Sequence, residues 1–260
     1  MGEYPFQNAM SLEKPSSLDE YDRNARLKPA FIAALPAGLL LAGLGARYSA
    51  AVGIVVGPLT AAGLAYFVVQ IGRDFGKRKE QRLISLWGGK PSTARLRHRD
   101  GKLSSLTLGR YHKVAATLIG QQLPTKSEEE ADPVAADSIY ESVGDYLREK
   151  TRDKKSFPLV FKELVGYGFR RNLWGLKPIA LTVSIACSAI QLISLGLHLV
   201  MHESPAEASL ILTGTNLALL ACWIFVINPA WVKLSADAYA DRLLAACEVV
   251  TAGKPARGRS

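Results

Sequence analysis

Charged residues are absent from four long stretches of this chain, and this constrains its fold more than any other feature. No Asp, Glu, Lys or Arg occurs in residues 29–46, 48–72, 178–202 or 208–232, although the 260 residues include 32 Lys and Arg and 23 Asp and Glu. At a rise of about 1.5 Å per residue, each stretch forms a helix of roughly 27 to 38 Å, which matches a hydrocarbon core of about 30 Å. The sequence therefore predicts four transmembrane helices and excludes an ordinary soluble domain.

The positions of Lys and Arg predict how these helices are oriented. Only Arg47 separates the first two stretches, and between the last two there is no Lys or Arg but Glu203 and Glu207. Residues 73–177, by contrast, contain 22 Lys and Arg. By the positive-inside rule, both termini and this central region face the cytoplasm. We therefore predict two transmembrane hairpins joined by a cytoplasmic domain.

This interpretation divides the chain into five parts. Residues 1–28 form a cytoplasmic N-terminal tail, and residues 29–72 form the first hairpin. Residues 73–177 form a small basic cytoplasmic α+β domain, which precedes the second hairpin over residues 178–232. Residues 233–260 form a cytoplasmic C-terminal helix and a basic tail. The N-terminus lacks the basic-then-apolar order of a signal peptide, so we expect no segment to be removed.

An alternating pattern in the central region predicts a β-hairpin with an anion-binding face. Residues 93–99 alternate, Asp100-Gly101 is a common hairpin turn, and residues 102–108 supply a return strand. On such a strand Arg95, Arg97 and Arg99 share one face, which suits phosphates, a nucleic-acid backbone or lipid head groups. Two further candidates for the ligand site are Arg110 and Lys113.

The alternative is an exposed sheet face whose arginines pair with acidic residues such as Glu128, Glu129 and Glu130. We expect folding to survive replacement of Arg95, Arg97 and Arg99 by Gln.

Helical signals complete the cytoplasmic region. Residues 73–86 continue the second transmembrane helix until Gly88-Gly89, and a further helix is predicted over about 110–120. Asp132-Pro133 is a strong helix start, since Asp caps the first turn and Pro fits its first position, and this helix is predicted to end near Arg152. Residues 232–250 are compatible with a helix after the last apolar stretch.

Catalytic and metal-binding motifs are missing from the sequence. The three cysteines and four histidines show no Cys-x-x-Cys, His-Glu-x-x-His or mixed cluster, and there is no phosphate-binding loop. We therefore expect no enzyme activity, no metal site and no cofactor.

One face of the third apolar stretch carries polar residues from its middle to its outer end. Ser184, Ser188, Gln191 and His198 follow at intervals of four, three and seven, with Ser194 beside them. All five are predicted to line an oligomeric pathway, because the four helices of one chain enclose too little space for a pore. Selectivity is expected to lean towards anions through a basic cytoplasmic mouth made by Arg170, Arg171 and Lys177. In the alternative account, Gln191 only hydrogen-bonds Thr213 or Asn216 within one subunit.

Two segments carry a resemblance to a known family. Residues 86–98 (LWGGKPSTARLRH) and residues 166–177 (GYGFRRNLWGLK), placed between paired hairpins, resemble bacterial four-helix membrane effectors of anti-phage defence, of the Hailong type, which are encoded beside a nucleotidyltransferase. The resemblance implies a homo-oligomeric ion channel of the bacterial inner membrane. It also implies that a short anionic DNA or RNA oligomer made by the partner enzyme controls this channel, and that opening depolarises the membrane.

Two other functions remain open from the residues alone. A membrane-tethered binding or scaffold protein would use its helices only as anchors, and it would need no polar face on the third helix. A small transporter would usually show inverted repeats and an intramembrane charge.

Overall fold

A computed structural model of the chain describes residues 20–48, 75–76, 78–202 and 204–252. The helices, in chain order, are α1 (Lys28–Tyr48), α2 (residues 75–76 and 78–86), α3 (Pro91–Leu96), α4 (Ser105–Ile119), α5 (Lys126–Ala131), α6 (Pro133–Lys150), α7 (Pro158–Val200), α8 (Glu207–Ala221) and α9 (Pro229–Ala252). A π-helical turn, Asp22–Leu27, leads directly into α1, and a second one, Cys222–Val226, extends α8.

Three described helices are long and apolar enough to cross a membrane. They cover Asp22–Leu44, Pro158–Val200 and Glu207–Val226, and they correspond to the first, third and fourth charge-free stretches. The second stretch, residues 48–72, lies outside the described residues apart from its first position. The structure thus supports a membrane protein with three candidate spans, where the sequence predicted four.

The third span belongs to a helix that is much longer than the apolar stretch. Helix α7 has 43 residues, about 64 Å, and its first 20 residues precede the predicted boundary at Pro178. Helix α1 runs beside α7 in the same direction, because Ala25 contacts Asn172 and Ala33 packs near Leu176. Helix α8 returns antiparallel after a turn, and we call the end of the bundle near residues 198–209 the turn end.

The prediction of an α+β domain is wrong, because the described residues contain no strand. Residues 93–96 of the predicted first strand belong to α3, and most of the predicted return strand belongs to α4. Pro91 occupies the first turn of α3, and the Ser104 side chain accepts a hydrogen bond from the Thr107 N–H at the start of α4. These helix-start signals outweigh a short alternation, and Asp100-Gly101 makes a turn between two helices instead of a hairpin.

Other local predictions from the sequence are confirmed. Asp132 accepts from the Ala135 N–H and precedes Pro133 at the start of α6. Gly88 and Gly89 adopt positive φ angles of 72° and 130° directly after α2, which explains why a helix ends there. The C-terminal helix exists and begins slightly earlier than predicted, at Pro229.

Two groups of buried side chains hold the helices together. Helices α3 to α6, which we call the cap, pack their apolar residues onto the second half of α9, with Tyr140 and Leu147 of α6 against Leu243 and Leu244. The second group, which we call the apolar plug, joins α1, α7 and the π-helical turn after α8. Its members are Ala33, Leu173, Leu176, Ala180, Trp223 and Ile227.

Helices α2 and α7 cross so closely that only glycine fits. A Cβ atom built on Gly175 would lie 3.1 Å from the Gly76 Cα, whereas one built on Gly166 of the same helix meets nothing within 4 Å.

This crossing predicts that replacing glycine by alanine affects stability in opposite directions at Gly175 and Gly166. Gly175→Ala should lower the free energy of unfolding by about 1 to 3 kcal/mol, because two backbones would have to separate. Gly166→Ala should leave it unchanged or raise it by up to about 1 kcal/mol through helix propensity. Thermal unfolding of the purified variants in detergent measures both, and equal midpoints for the two would contradict the crossing.

Candidate functional site

The three arginines predicted to form an anion-binding face are each paired with carboxylates. Arg95 of α3 donates to Asp241 from two guanidinium nitrogens and to Asp237 from a third, at 3.2 Å. Its side chain is 11% exposed. Because both acids belong to α9, Arg95 connects the cap to this helix.

Arg97 and Arg99 share one carboxylate on α6. Arg97 holds Asp137 in a bidentate pair with both N···O distances at 2.8 Å, and a third nitrogen lies 3.2 Å from Asp100. Arg99 contacts the same Asp137 at 2.8 and 2.9 Å and Glu129 at 3.0 Å. The side chain of Arg97 is 9% exposed and that of Arg99 is 34% exposed.

The remaining two candidates for the ligand site lie on the outer face of α4. Arg110 pairs with Glu248 of α9 at 2.6 Å, and Lys113 is exposed. The predicted ligand residues therefore do not form one face.

A buried carboxylate organises the turn between α3 and α4. Glu129 accepts hydrogen bonds from the backbone N–H groups of His98 and Arg99, from the Arg99 guanidinium and from the Tyr140 hydroxyl. Burial alone would raise the pKa of Glu129, but these hydrogen bonds hold it below its usual value.

His112 lies beside this turn, with its ring edge-on to His98 at a centroid distance of 4.9 Å. Its Nε2 is 2.7 Å from the Leu96 carbonyl oxygen, so this nitrogen carries the proton. Burial lowers the pKa of His112, and the nearby His98 adds to this, although the hydrogen bond to Leu96 opposes it.

This shift predicts how stability depends on pH. An unfolded histidine titrates near pH 6.5, so the unfolded chain takes up a proton before the folded one does. The contribution of His112 is present above about pH 6.5 and is lost as the pH falls towards the lower folded pKa. His112→Gln can still donate to Leu96, and it should flatten the fall of the unfolding midpoint between about pH 7.5 and 5.5. An unchanged slope in this variant would contradict the assignment.

The polar face of α7 points into its own bundle. Ser184, Ser188 and Gln191 are buried, with 0, 3 and 8% exposure. The Asn216 Nδ2 group donates to Gln191 Oε1 at 2.7 Å and lies 3.4 Å from the Pro36 carbonyl oxygen. The pairing of Gln191 with Asn216 is the intrasubunit contact considered above, and it joins α1, α7 and α8.

Several polar atoms of this face lack a hydrogen-bond partner in the described part of the chain. They are Ser184 Oγ, Ser188 Oγ and Asn216 Oδ1. The next polar residues towards the turn end, Ser194 and His198, line a cavity of about 440 Å³ between α1, α7 and α8. Gln191, Ser204 and Ser209 line the same cavity, and the rest of its wall is made of apolar residues such as Leu40 and Leu212.

The other end of the polar face meets the apolar plug. Ala180, one helical turn before Ser184, is fully buried, and Trp223 is 1% exposed. The polar face is thus connected to a cavity at the turn end and closed by apolar side chains at the opposite end.

The residues predicted as a basic mouth surround this closed end, where they bind other parts of the chain. Lys177 Nζ donates to the carbonyl oxygens of Ile224 and Ile227 at 3.1 and 2.7 Å, where the π-helical turn ends. Arg170 donates to the Trp231 carbonyl at 3.0 Å and lies over its ring. Arg171 pairs with Glu80 of α2 at 2.9 Å.

The fold and these contacts define a membrane-span bundle with a polar interior and a charged helical cap. No protein-family model, curated protein or solved structure matches the chain. Sequence reasoning missed the apolar plug, because Trp223 and Ala180 look like ordinary lipid-facing residues. It also missed the carbonyl contacts of Lys177, which depend on where α8 ends.

Proposed function

We propose that the protein is a gated membrane channel whose hydrated path follows the polar face of α7. The observation that carries this proposal is the row of buried polar atoms, Ser184 Oγ, Ser188 Oγ and Asn216 Oδ1, without partners in the described residues. A buried polar atom without a partner costs about 1 to 3 kcal/mol, and hydrocarbon offers no compensation. Water in the bundle removes this cost, because buried waters are found where protein polar groups need partners.

The path has an open and a closed end in the described conformation. It continues into the cavity beside Gln191 towards the turn end, and it stops at the apolar plug around Trp223. Apolar constrictions gate channels by excluding water, so this conformation corresponds to a closed state.

Residues 222–228 between α8 and α9, which we call the joint, connect this gate to the cap. Lys177 and Arg170 of α7 hold the joint from one side, and Arg95 of the cap holds α9 at Asp237 and Asp241. Movement of α9 relative to α7 therefore acts on the π-helical turn that carries Trp223. A scaffold whose helices serve only as anchors has no use for this arrangement.

We extend the proposal to the biological role that the sequence resemblance implies. The protein acts as a homo-oligomeric defence effector in the bacterial inner membrane, with both termini in the cytoplasm, and a nucleic-acid-like oligomer controls the gate through the cap. The support for this part is the likeness of residues 86–98 and 166–177 to such effectors and the positive-inside distribution of Lys and Arg. Each subunit contributes its own path, instead of the shared oligomeric pathway expected from the sequence, because the polar face lies inside one bundle.

Conductance of the purified protein in planar bilayers tests the proposal. Gln191→Leu should abolish ion current and also lower stability by about 0.6 to 1.7 kcal/mol, since Asn216 loses its partner. The double variant Gln191→Leu/Asn216→Leu should regain stability without regaining current.

Ile193→Leu, on the exposed side of α7, is the matched control and should conduct like the wild type. Full current in the Gln191→Leu channel would refute the path, and a wild type that carries no current under any condition would favour the scaffold.

A further inference from the structure

A basic cleft lies at the base of the bundle, away from the arginines of the predicted ligand site. Its volume is about 470 Å³, and it is formed by the turn before α1, the end of α6, the start of α7 and the middle of α9. Three arginines and one acid, Asp22, line it. Arg26 and Asp22 belong to the first of these elements, Arg148 to the last turn of α6, and Arg152 to the residues just after α6. We propose that this cleft binds an anion that carries two or more phosphate groups next to a planar ring, the chemistry of a nucleotide.

The first argument is how weakly the cleft arginines are held. In the described part of the chain, the ion pairs of Arg26, Arg148 and Arg152 are with acids three or four residues away in sequence. Their side chains are 32, 40 and 76% exposed. Exposed pairs of this kind are worth about 0 to 1 kcal/mol, so a phosphate group can replace the acid. Arg95 and Arg97 bind carboxylates bidentately and are largely buried, and a ligand would have to displace the contacts that hold the cap together.

The second argument is geometry. Arg148 lies in the last turn of α6 and Arg152 just after this helix ends, while Arg26 belongs to a different element that borders the same cleft. Guanidinium groups from two elements suit a ligand with more than one phosphate, because each planar fork binds two oxygens.

The third argument is the apolar wall. Tyr21, Tyr239, Phe161 and Leu164 line the cleft beside the arginines, which provides aromatic and aliphatic surface for a planar ring. Burial raises the pKa of Tyr239 to about 12, so its hydroxyl remains a hydrogen-bond donor at neutral pH. Clefts of this volume and mixed lining are typical of small-molecule sites.

The position of the cleft gives a bound ligand control over the gate, and this consequence rests on the proposed function. A ligand that contacts Arg26 and Arg148 connects the helix leading into α1 with the cap. Tyr239 of α9 belongs to the same cleft. Binding itself does not depend on whether the protein conducts.

Calorimetric titration of the full chain in detergent tests the site with three probes. These are inorganic triphosphate, ATP and a single-stranded tetramer of thymidine nucleotides. We expect saturable binding of ATP that is tighter than that of triphosphate. If the tetramer also binds and competes with ATP, the ligand that supplies the phosphates and the ring is a nucleic-acid polymer. Equal affinity for triphosphate and ATP would overturn the ring-bearing ligand, and no saturable binding of any probe would overturn the site.

Substitutions locate the binding. Arg148→Gln/Arg152→Gln should weaken ATP binding by about tenfold per arginine, or roughly a hundredfold in all. Arg152→Gln alone removes a largely exposed side chain, so it keeps the test valid if the double variant is unstable. Lys113→Gln, an exposed lysine outside the cleft, is the control and should bind like the wild type. Unchanged affinity in the double variant would reject the site even if the channel conducts, whereas lost affinity with no measurable current would reject only the channel.

Discussion

Arg97→Met should be among the most destabilising single substitutions in the cap, with a loss of about 1.5 to 3 kcal/mol in the free energy of unfolding. The substitution removes the bidentate pair with Asp137, which keeps its contacts with Arg99, and it also removes the hydrogen bond from Arg97 to the Gly88 carbonyl oxygen at 2.9 Å. Arg97 is 8% exposed, so water cannot fully replace these contacts. Denaturant unfolding of the purified variant measures the loss.

Arg152→Met is the matched control for this prediction. Its side chain is 76% exposed, and among the described residues its ion pair is with Glu149, three residues before it, so its loss should cost less than about 1 kcal/mol. Similar stabilities for the two variants would show that the contacts of Arg97 contribute no more to the free energy of unfolding than one exposed ion pair. The sequence alone suggested that Arg95, Arg97 and Arg99 can all be replaced by Gln without loss of folding, and the carboxylate pairs now predict the opposite.

Trp223→Ala should open the channel without any ligand. Trp223 is the largest side chain of the apolar plug, and its removal leaves a gap next to Leu176 and Ala180 that water can enter. We expect a steady current in planar bilayers where the wild type is closed, and growth arrest on expression in bacteria.

Phe225→Ala removes an aromatic ring from the same π-helical turn, but Phe225 is 75% exposed on the outside of the bundle. This variant should remain closed like the wild type. If Trp223→Ala also stays closed while folding normally, the plug is not the gate.

The membrane part was predictable because burial in lipid leaves a strong signal in the sequence. Charge-free stretches marked α1, α7 and α8, and the spacing of Ser184, Ser188 and Gln191 marked one helical face. The length of α7 was not predictable, since its first 20 residues include five charged ones and lie outside the apolar stretch, but they continue the same helix.

The cap was less predictable because its stabilising contacts link distant parts of the chain. Arg95 pairs with acids more than 140 residues away, and Arg97 with one 40 residues away. A short alternation such as residues 93–99 suits a strand or one turn of helix about equally, and the start signals at Pro91 and Ser104, together with packing against α6 and α9, favour helices.

The basic cleft was missed for the same reason. Arg148 lies in the last turn of α6 and Arg152 just after it, where basic residues look like the ordinary end of a solvated helix. Nothing in the sequence places Arg26 beside them.

Thiol accessibility along α7 tests most directly whether a hydrated path exists. On a background in which Cys187, Cys222 and Cys247 are replaced by Ala, single cysteines are introduced at Ser184, Ser188 and Ala180. Ser184 and Ala180 are both fully buried one helical turn apart, so exposure in the closed structure does not distinguish them. The hydrated path predicts that cysteines at 184 and 188 react with a small water-soluble thiol reagent added on the turn-end side, while the cysteine at 180 does not. Equal lack of reaction at all three positions would contradict the path.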